Sequence, residues 1–261
     1  MLLPHDQAGS GPGVVLLHAG VADRTMWVEH LAPLARAGYH AVAMDLPGFG
    51  EAPLAEGSAA WLDVAETMDA LAMESAAVVG NSYGGAVALR LAVVVPERVA
   101  GLVLVSVPAP DMVPSPELSA AWAAEEEALE RGDIDAAVAA VVETWTLPDA
   151  PAQLRDRVAA MQRRAFAVQL EAGDVEDAAD PLEDAPPLLA RLAMPTLIAV
   201  GALDKPEFHT SAQTLSHGIG CARPTVIGGA GHLAPLERPE AFRGHLLDFL
   251  RETVLPGRPR G

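Results

Sequence analysis

The chain of 261 residues contains one cysteine, Cys221, and one lysine, Lys205. A single thiol excludes an intrachain disulfide and a thiolate metal cluster, so the expectation for Cys221 is a small packed side chain. No apolar run approaches the roughly 18 residues of a membrane span. The start, Met1-Leu2-Leu3-Pro4-His5-Asp6, lacks the basic residues and apolar stretch of a secretory signal, and the reading is a cytoplasmic protein. Positive charge is scarce as well: 17 Lys and Arg stand against 35 Asp and Glu, for a formal net charge of −18. Such a chain repels phosphate backbones and anionic lipid surfaces, and no basic stripe offsets this locally, so nucleic acid and membrane are poor partners. What is abundant is aliphatic: 51% of residues are hydrophobic and 20% charged, the balance of a globular chain with a sizeable core.

Short apolar runs alternate with longer helical patterns, which predicts βα units around a mostly parallel sheet. Strands are expected at 14–17, 41–44, 76–79 and 102–105, and helices at 26–37, 59–73 and 83–94, with Pro96 ending the third. After residue 110 the pattern changes to three consecutive amphipathic helices, 114–131, 134–145 and 153–170, without strands between them. Strand signals return at 196–200 and 224–227, followed by a closing helix at 239–253. The domain reading is therefore a discontinuous core, 1–110 and 185–253, a helical insertion, 111–184, and a frayed tail, 254–261. Glu171, Asp174, Glu176, Asp177, Asp180, Glu183 and Asp184 read as a solvated linker; a calcium loop is the alternative, although the acids lack the spacing of an EF-hand.

Gly80-Asn81-Ser82-Tyr83-Gly84-Gly85 lies between an expected strand and an expected helix. In G-x-S-x-G the glycines let strand and helix pack closely around a strained turn that projects the serine hydroxyl above the sheet. A serine hydroxyl is a poor nucleophile until a base takes its proton, and a histidine base needs an acid to fix its tautomer. His232 lies in the Gly-rich loop Gly228-Gly229-Ala230-Gly231-His232 after the last expected strand and fits the base. Asp204 closes Val200-Gly201-Ala202-Leu203-Asp204 at the end of the strand before it, and is preferred as the acid over Asp111, which follows the 102–105 strand.

These segments resemble the α/β-hydrolase superfamily across about residues 13–250. Leu16-Leu17-His18-Ala19-Gly20 resembles its oxyanion loop, Asp45-Leu46-Pro47-Gly48-Phe49-Gly50 its D-x-x-G-x-G turn, and the His232 segment its histidine loop. The resemblance implies the α/β-hydrolase fold, with a mostly parallel sheet flanked by helices and the insertion as a cap. It further implies an oxyanion hole from the N–H groups of Gly20, or its neighbour Val21, and Tyr83, and an architectural role for Asp45. Trp122, Trp145, Met161 and Phe166, on apolar faces of the insertion helices, are expected to line a substrate pocket. The family usually has a full β-hairpin before the oxyanion-loop strand; the few residues before Val14 suggest that its first strand is missing, exposing an edge that a second copy could cover as a homodimer.

The activity so implied is hydrolysis of a small carboxylic ester, lactone or thioester through an acyl-enzyme, with no cofactor and no metal. A serine at the nucleophile position argues against epoxide hydrolases and haloalkane dehalogenases, which use aspartate there. Carbon–carbon bond hydrolases, cofactor-free haloperoxidases and a non-catalytic hydrolase-like receptor remain as alternatives.

Overall fold

The computed structural model describes residues 1–176, 178–183 and 188–254. Among the described residues seven strands form one sheet: β1 (His5–Ala8), β2 (Gly13–Leu17), β3 (His40–Met44), β4 (Ala76–Asn81), β5 (Val99–Val105), β6 (Thr196–Gly201) and β7 (Ala222–Ile227), in the order β1-β3-β2-β4-β5-β6-β7. Every neighbouring pair is parallel except β1 with β3. β2 through β6 are aliphatic at nearly every position because both faces are covered. In β2, Val14 and Leu16 enter the core cluster on one face, and Val15 and Leu17 the cluster on the other.

Helices α1 (Val28–Arg36), α2 (Ala60–Ala70) and α3 (Tyr83–Val94) connect the first strands. α4 (Pro116–Glu130), α5 (Ile134–Trp145) and α6 (Ala152–Ala172) follow β5 with no strand between them; α7 (Pro206–Gly218), the single turn α8 (Ala234–Glu237) and α9 (Pro239–Thr253) complete the chain. The insertion is fastened to the segment after β2. Arg164 of α6 pairs with the buried Asp23, and Arg157 with Glu29. No helix among the described residues is long and apolar enough to cross a membrane.

The start of the chain supplies one short antiparallel edge strand where the family's hairpin would need two. Cys221 departs from its expectation: it is exposed, in the turn before β7, with its thiol donating to the carbonyl of Met194 at 3.0 Å. Of the acidic stretch, Asp177 and Asp184 lie outside the described residues, as does the expected tail beyond Val254. Asp180 forms an ion pair with Arg90 of α3. Among the described residues no group of three or more His, Cys, Asp or Glu side chains is placed to hold a metal ion.

Candidate active site

β2 lies between β3 and β4, so the strand order reverses there, and the loops at the carboxyl ends of the strands frame a crevice. Ser82 stands in the turn between β4 and α3 with φ 51° and ψ −116°, a left-handed conformation costly for a non-glycine residue. Its flanking glycines are sterically required. A Cβ on Gly80 would lie 2.3 Å from the carbonyl oxygen of Gly84, and one on Gly84 would lie 2.4 Å from the carbonyl oxygens of Leu17 and His18. The strand therefore runs straight into the helix with Ser82 at the bend.

Asp204 follows β6, and its carboxylate oxygens lie 3.1 and 3.3 Å from Nδ1 of His232. A carboxylate only accepts, so Nδ1 carries the proton and Nε2 keeps its lone pair. Burial pushes the Asp204 carboxyl up, yet the attraction of the His232 ring when protonated, its hydrogen bond and the N–H of Lys205 outweigh this and hold the carboxyl below the usual range. Ser106 Oγ, buried at the end of β5, sits beside Asp204 without reaching hydrogen-bonding geometry. Asp111, the rival acid, is exposed and lines a separate cavity with Met112, Ser115 and Glu207.

The side-chain amide of Asn81, the residue before Ser82, donates to the carbonyl of His232 at 3.1 Å and to that of Val105 at 3.0 Å. The histidine loop, 151 positions away, is thereby tied to the strand that carries Ser82. Behind the loop, Glu237 accepts from the N–H of Gly231 at 2.5 Å, and burial pushes its carboxyl above the ordinary carboxylate range. Neither contact is foreshadowed in sequence, where Asn81 is the variable position of G-x-S-x-G and Glu237 lies five residues past the histidine.

Gly20 packs against Tyr83: a Cβ at Gly20 would lie 3.4 Å from the Cβ of Tyr83. The two residues expected to form the oxyanion hole are thus neighbours beside Ser82. His18 is a brace. Its Nδ1 bonds the Ala19 carbonyl at 2.8 Å and its Nε2 accepts from the N–H of Leu46 at 2.9 Å, coupling the loop after β2 to the loop after β3, while burial pushes the ring below its usual range. Asp45 accepts from the N–H groups of Arg24 and Glu51 and pairs with the Arg24 guanidinium, an architectural position.

The four apolar residues of the insertion divide. Met161 and Phe166 are 1% and 3% exposed, in the cluster that joins the insertion to the sheet, whereas Trp122 is 38% exposed. Trp145 packs against His232 with ring centroids 4.4 Å apart and planes inclined, and Phe208 of α7, which the sequence reading missed, lies 4.3 Å from the same ring. A cavity of about 150 Å³ beside His232 is lined by Trp145, Leu203, Asp204 and Lys205. A second, of about 240 Å³, lies beside Tyr83 and is walled by Pro47, Leu54, Trp61 and Val87.

The seven-stranded sheet and these strand-end loops define an α/β hydrolase. The sequence matches the alpha/beta hydrolase family over residues 14–244, and the chain belongs to that family, which makes it a hydrolase by class. Among curated proteins it is 29% identical to a 2-hydroxy-6-oxo-6-phenylhexa-2,4-dienoate hydrolase of Comamonas testosteroni, over 96% of this chain and 92% of that one. Among solved structures it is similar to a thermophilic esterase of Thermogutta terrifontis (TM-score 0.79, 26% identity, 97% and 94% of the two chains covered). It is also similar to the enol-lactonase of Burkholderia xenovorans (TM-score 0.76, 25% identity, 95% and 96% covered).

Proposed function

We propose that this protein is a serine hydrolase that cleaves a small carboxylic ester, lactone or thioester through an acyl-enzyme. The observation that carries the reading is the strained Ser82 next to Asn81, whose amide holds the backbone of a histidine hydrogen-bonded to Asp204. Ser82 Oγ attacks the carbonyl carbon while His232 Nε2 takes its proton, and Asp204 stabilises the imidazolium. The N–H groups of Gly20 or Val21 and of Tyr83 receive the oxyanion, aided by the positive end of α3. Collapse of the tetrahedral adduct expels the alcohol or thiol, protonated by His232. Water, deprotonated by the same histidine, then releases the acid and frees Ser82. The scheme draws on no cofactor. The insertion acts as a cap over Ser82.

Ser82→Ala should lower ester turnover on the order of 10⁴- to 10⁶-fold, because the members of such a unit fail together, and should abolish labelling by a fluorophosphonate. Labelling retained in that variant would overturn the assignment of the nucleophile. A second reading, carbon–carbon bond hydrolysis by the same residues, is favoured by the likeness to the Comamonas hydrolase over nearly the whole chain. Turnover of a dienol-ketone acid in preference to a panel of esters and lactones would select it.

A further inference from the structure

Trp145 closes α5 and is 9% exposed, and its aromatic and cationic contacts are with residues of the core. Its ring meets His232 at 4.4 Å with planes inclined by 41°, and Phe208 at 6.0 Å, while the Lys205 ammonium lies 5.5 Å from its centroid. His232 is thus met by two aromatic rings from different elements, Trp145 of α5 and Phe208 of α7, which also meet each other. Two residues on, Leu147 packs against the backbone of the same loop: a Cβ on Gly231 would lie 2.9 Å from its Cδ2. The segment leaving α5 therefore seats both the ring of His232 and the backbone before it.

From this geometry we infer that Trp145 is a positioning residue for His232, so that docking of the insertion sets the orientation of the base. The inference rests on the serine-hydrolase reading and assigns Trp145 to the base and not to the acyl pocket. Its physical basis is simple. The hydrogen bond to Asp204 fixes one ring atom but leaves the imidazole free to rock about that bond, and two aromatic rings packed against it from different directions restrict the motion. A base contributes about 10²- to 10⁴-fold only when its lone pair meets the proton it abstracts, so rocking costs rate without costing substrate affinity.

The test compares Trp145→Phe and Trp145→Leu with the parent protein on esters of increasing acyl length, together with the rate of fluorophosphonate labelling. Trp145→Leu keeps an apolar side chain but no flat ring. It should lower kcat about tenfold or more at every acyl length, with KM within about threefold, and should slow labelling by the same factor. Trp145→Phe should recover most of the loss. Phe208→Leu, which removes the second ring packed against His232, should repeat the pattern and keeps the test open should Trp145→Leu fold poorly. Unchanged kcat in both leucine variants, or losses confined to one range of acyl lengths, would overturn the inference. Turnover surviving in Ser82→Ala would instead overturn the serine-hydrolase reading beneath it.

Discussion

Asp204 and Asp111 both follow a core strand, and the two differ in what surrounds them. Asp204 is buried against His232, whereas Asp111 is exposed in a separate cavity. Asp204→Asn should lower kcat on the order of 10³- to 10⁴-fold, because an amide no longer selects the tautomer with a free Nε2. Asp111→Asn should stay within about twofold, as surface substitutions do. Steady-state turnover of one ester by both variants checks the pair, and the reverse ranking would move the acid. Asn81 presents a different case. Asn81→Ala would strand the carbonyl of His232, while that of Val105 keeps the N–H of Ser82, at a cost of about 1–3 kcal/mol, and the damage should appear in both thermal stability and kcat. Ser82, His232 and Asp204 were legible because each sits in a short motif at a strand end. Asn81, Phe208 and Glu237 were not, since each acts through a contact whose partner is distant in sequence or hidden within a loop.

At the scale of elements, the helices located best are those bounded in sequence by clear start and stop residues. α3, α5 and α9 span 83–94, 134–145 and 239–253, as the pattern predicts. The helix expected at 26–37 is instead a 3₁₀ turn, Arg24–Trp27, followed by α1, and the one expected at 59–73 ends at Ala70 because Ala72 turns with φ 52°. β1 escaped because His5-Asp6-Gln7-Ala8 is a half-exposed edge strand with no apolar run to betray it. α7 escaped because Phe208 and Leu215 are its only large apolar buried residues. The join between insertion and core yields its own prediction. Asp23 is 2% exposed and pairs with Arg164, and the Arg164 charge and the Thr25 hydroxyl overcome the burial that would otherwise push its carboxyl up. Arg164→Ala leaves that carboxylate buried and short of a partner, so the melting temperature should fall by several degrees. Hydrogen exchange should quicken in α6 and in the loop after β2 while β4 and β5 stay protected; uniform quickening would mean that the pair serves the whole core and not the join.

For the molecule as a whole, two buried histidines set the response to acid. His30 of α1 is fully buried between Trp27 and Phe242, with Nε2 donating to the carbonyl of Pro235 at 3.0 Å. Its buried Nδ1 has no hydrogen-bond partner among the described residues, and burial pushes the ring down to about 4. Burial also lowers His18, whose Nε2 accepts from Leu46 and so cannot be protonated without losing that bond. In the unfolded chain both rings would titrate near 6.5. Below that pH the unfolded state binds protons that the folded state refuses, so stability is complete above about pH 6.5 and drains away as the pH falls toward 4. His30 alone accounts for on the order of 3 kcal/mol over that interval, or roughly 5 to 10 °C in melting temperature for a chain of this size. The buried Glu237, raised by burial, works in the opposite direction and gains stability as acid is added. Thermal melts from pH 7.5 to 4.5 should therefore show a marked acid-side fall. His30→Gln retains a donor for Pro235 and does not titrate, so its melting temperature should start lower at pH 7.5 yet fall less toward pH 4.5. Parallel curves for the two proteins would show that His30 is not the group through which acid reaches the fold.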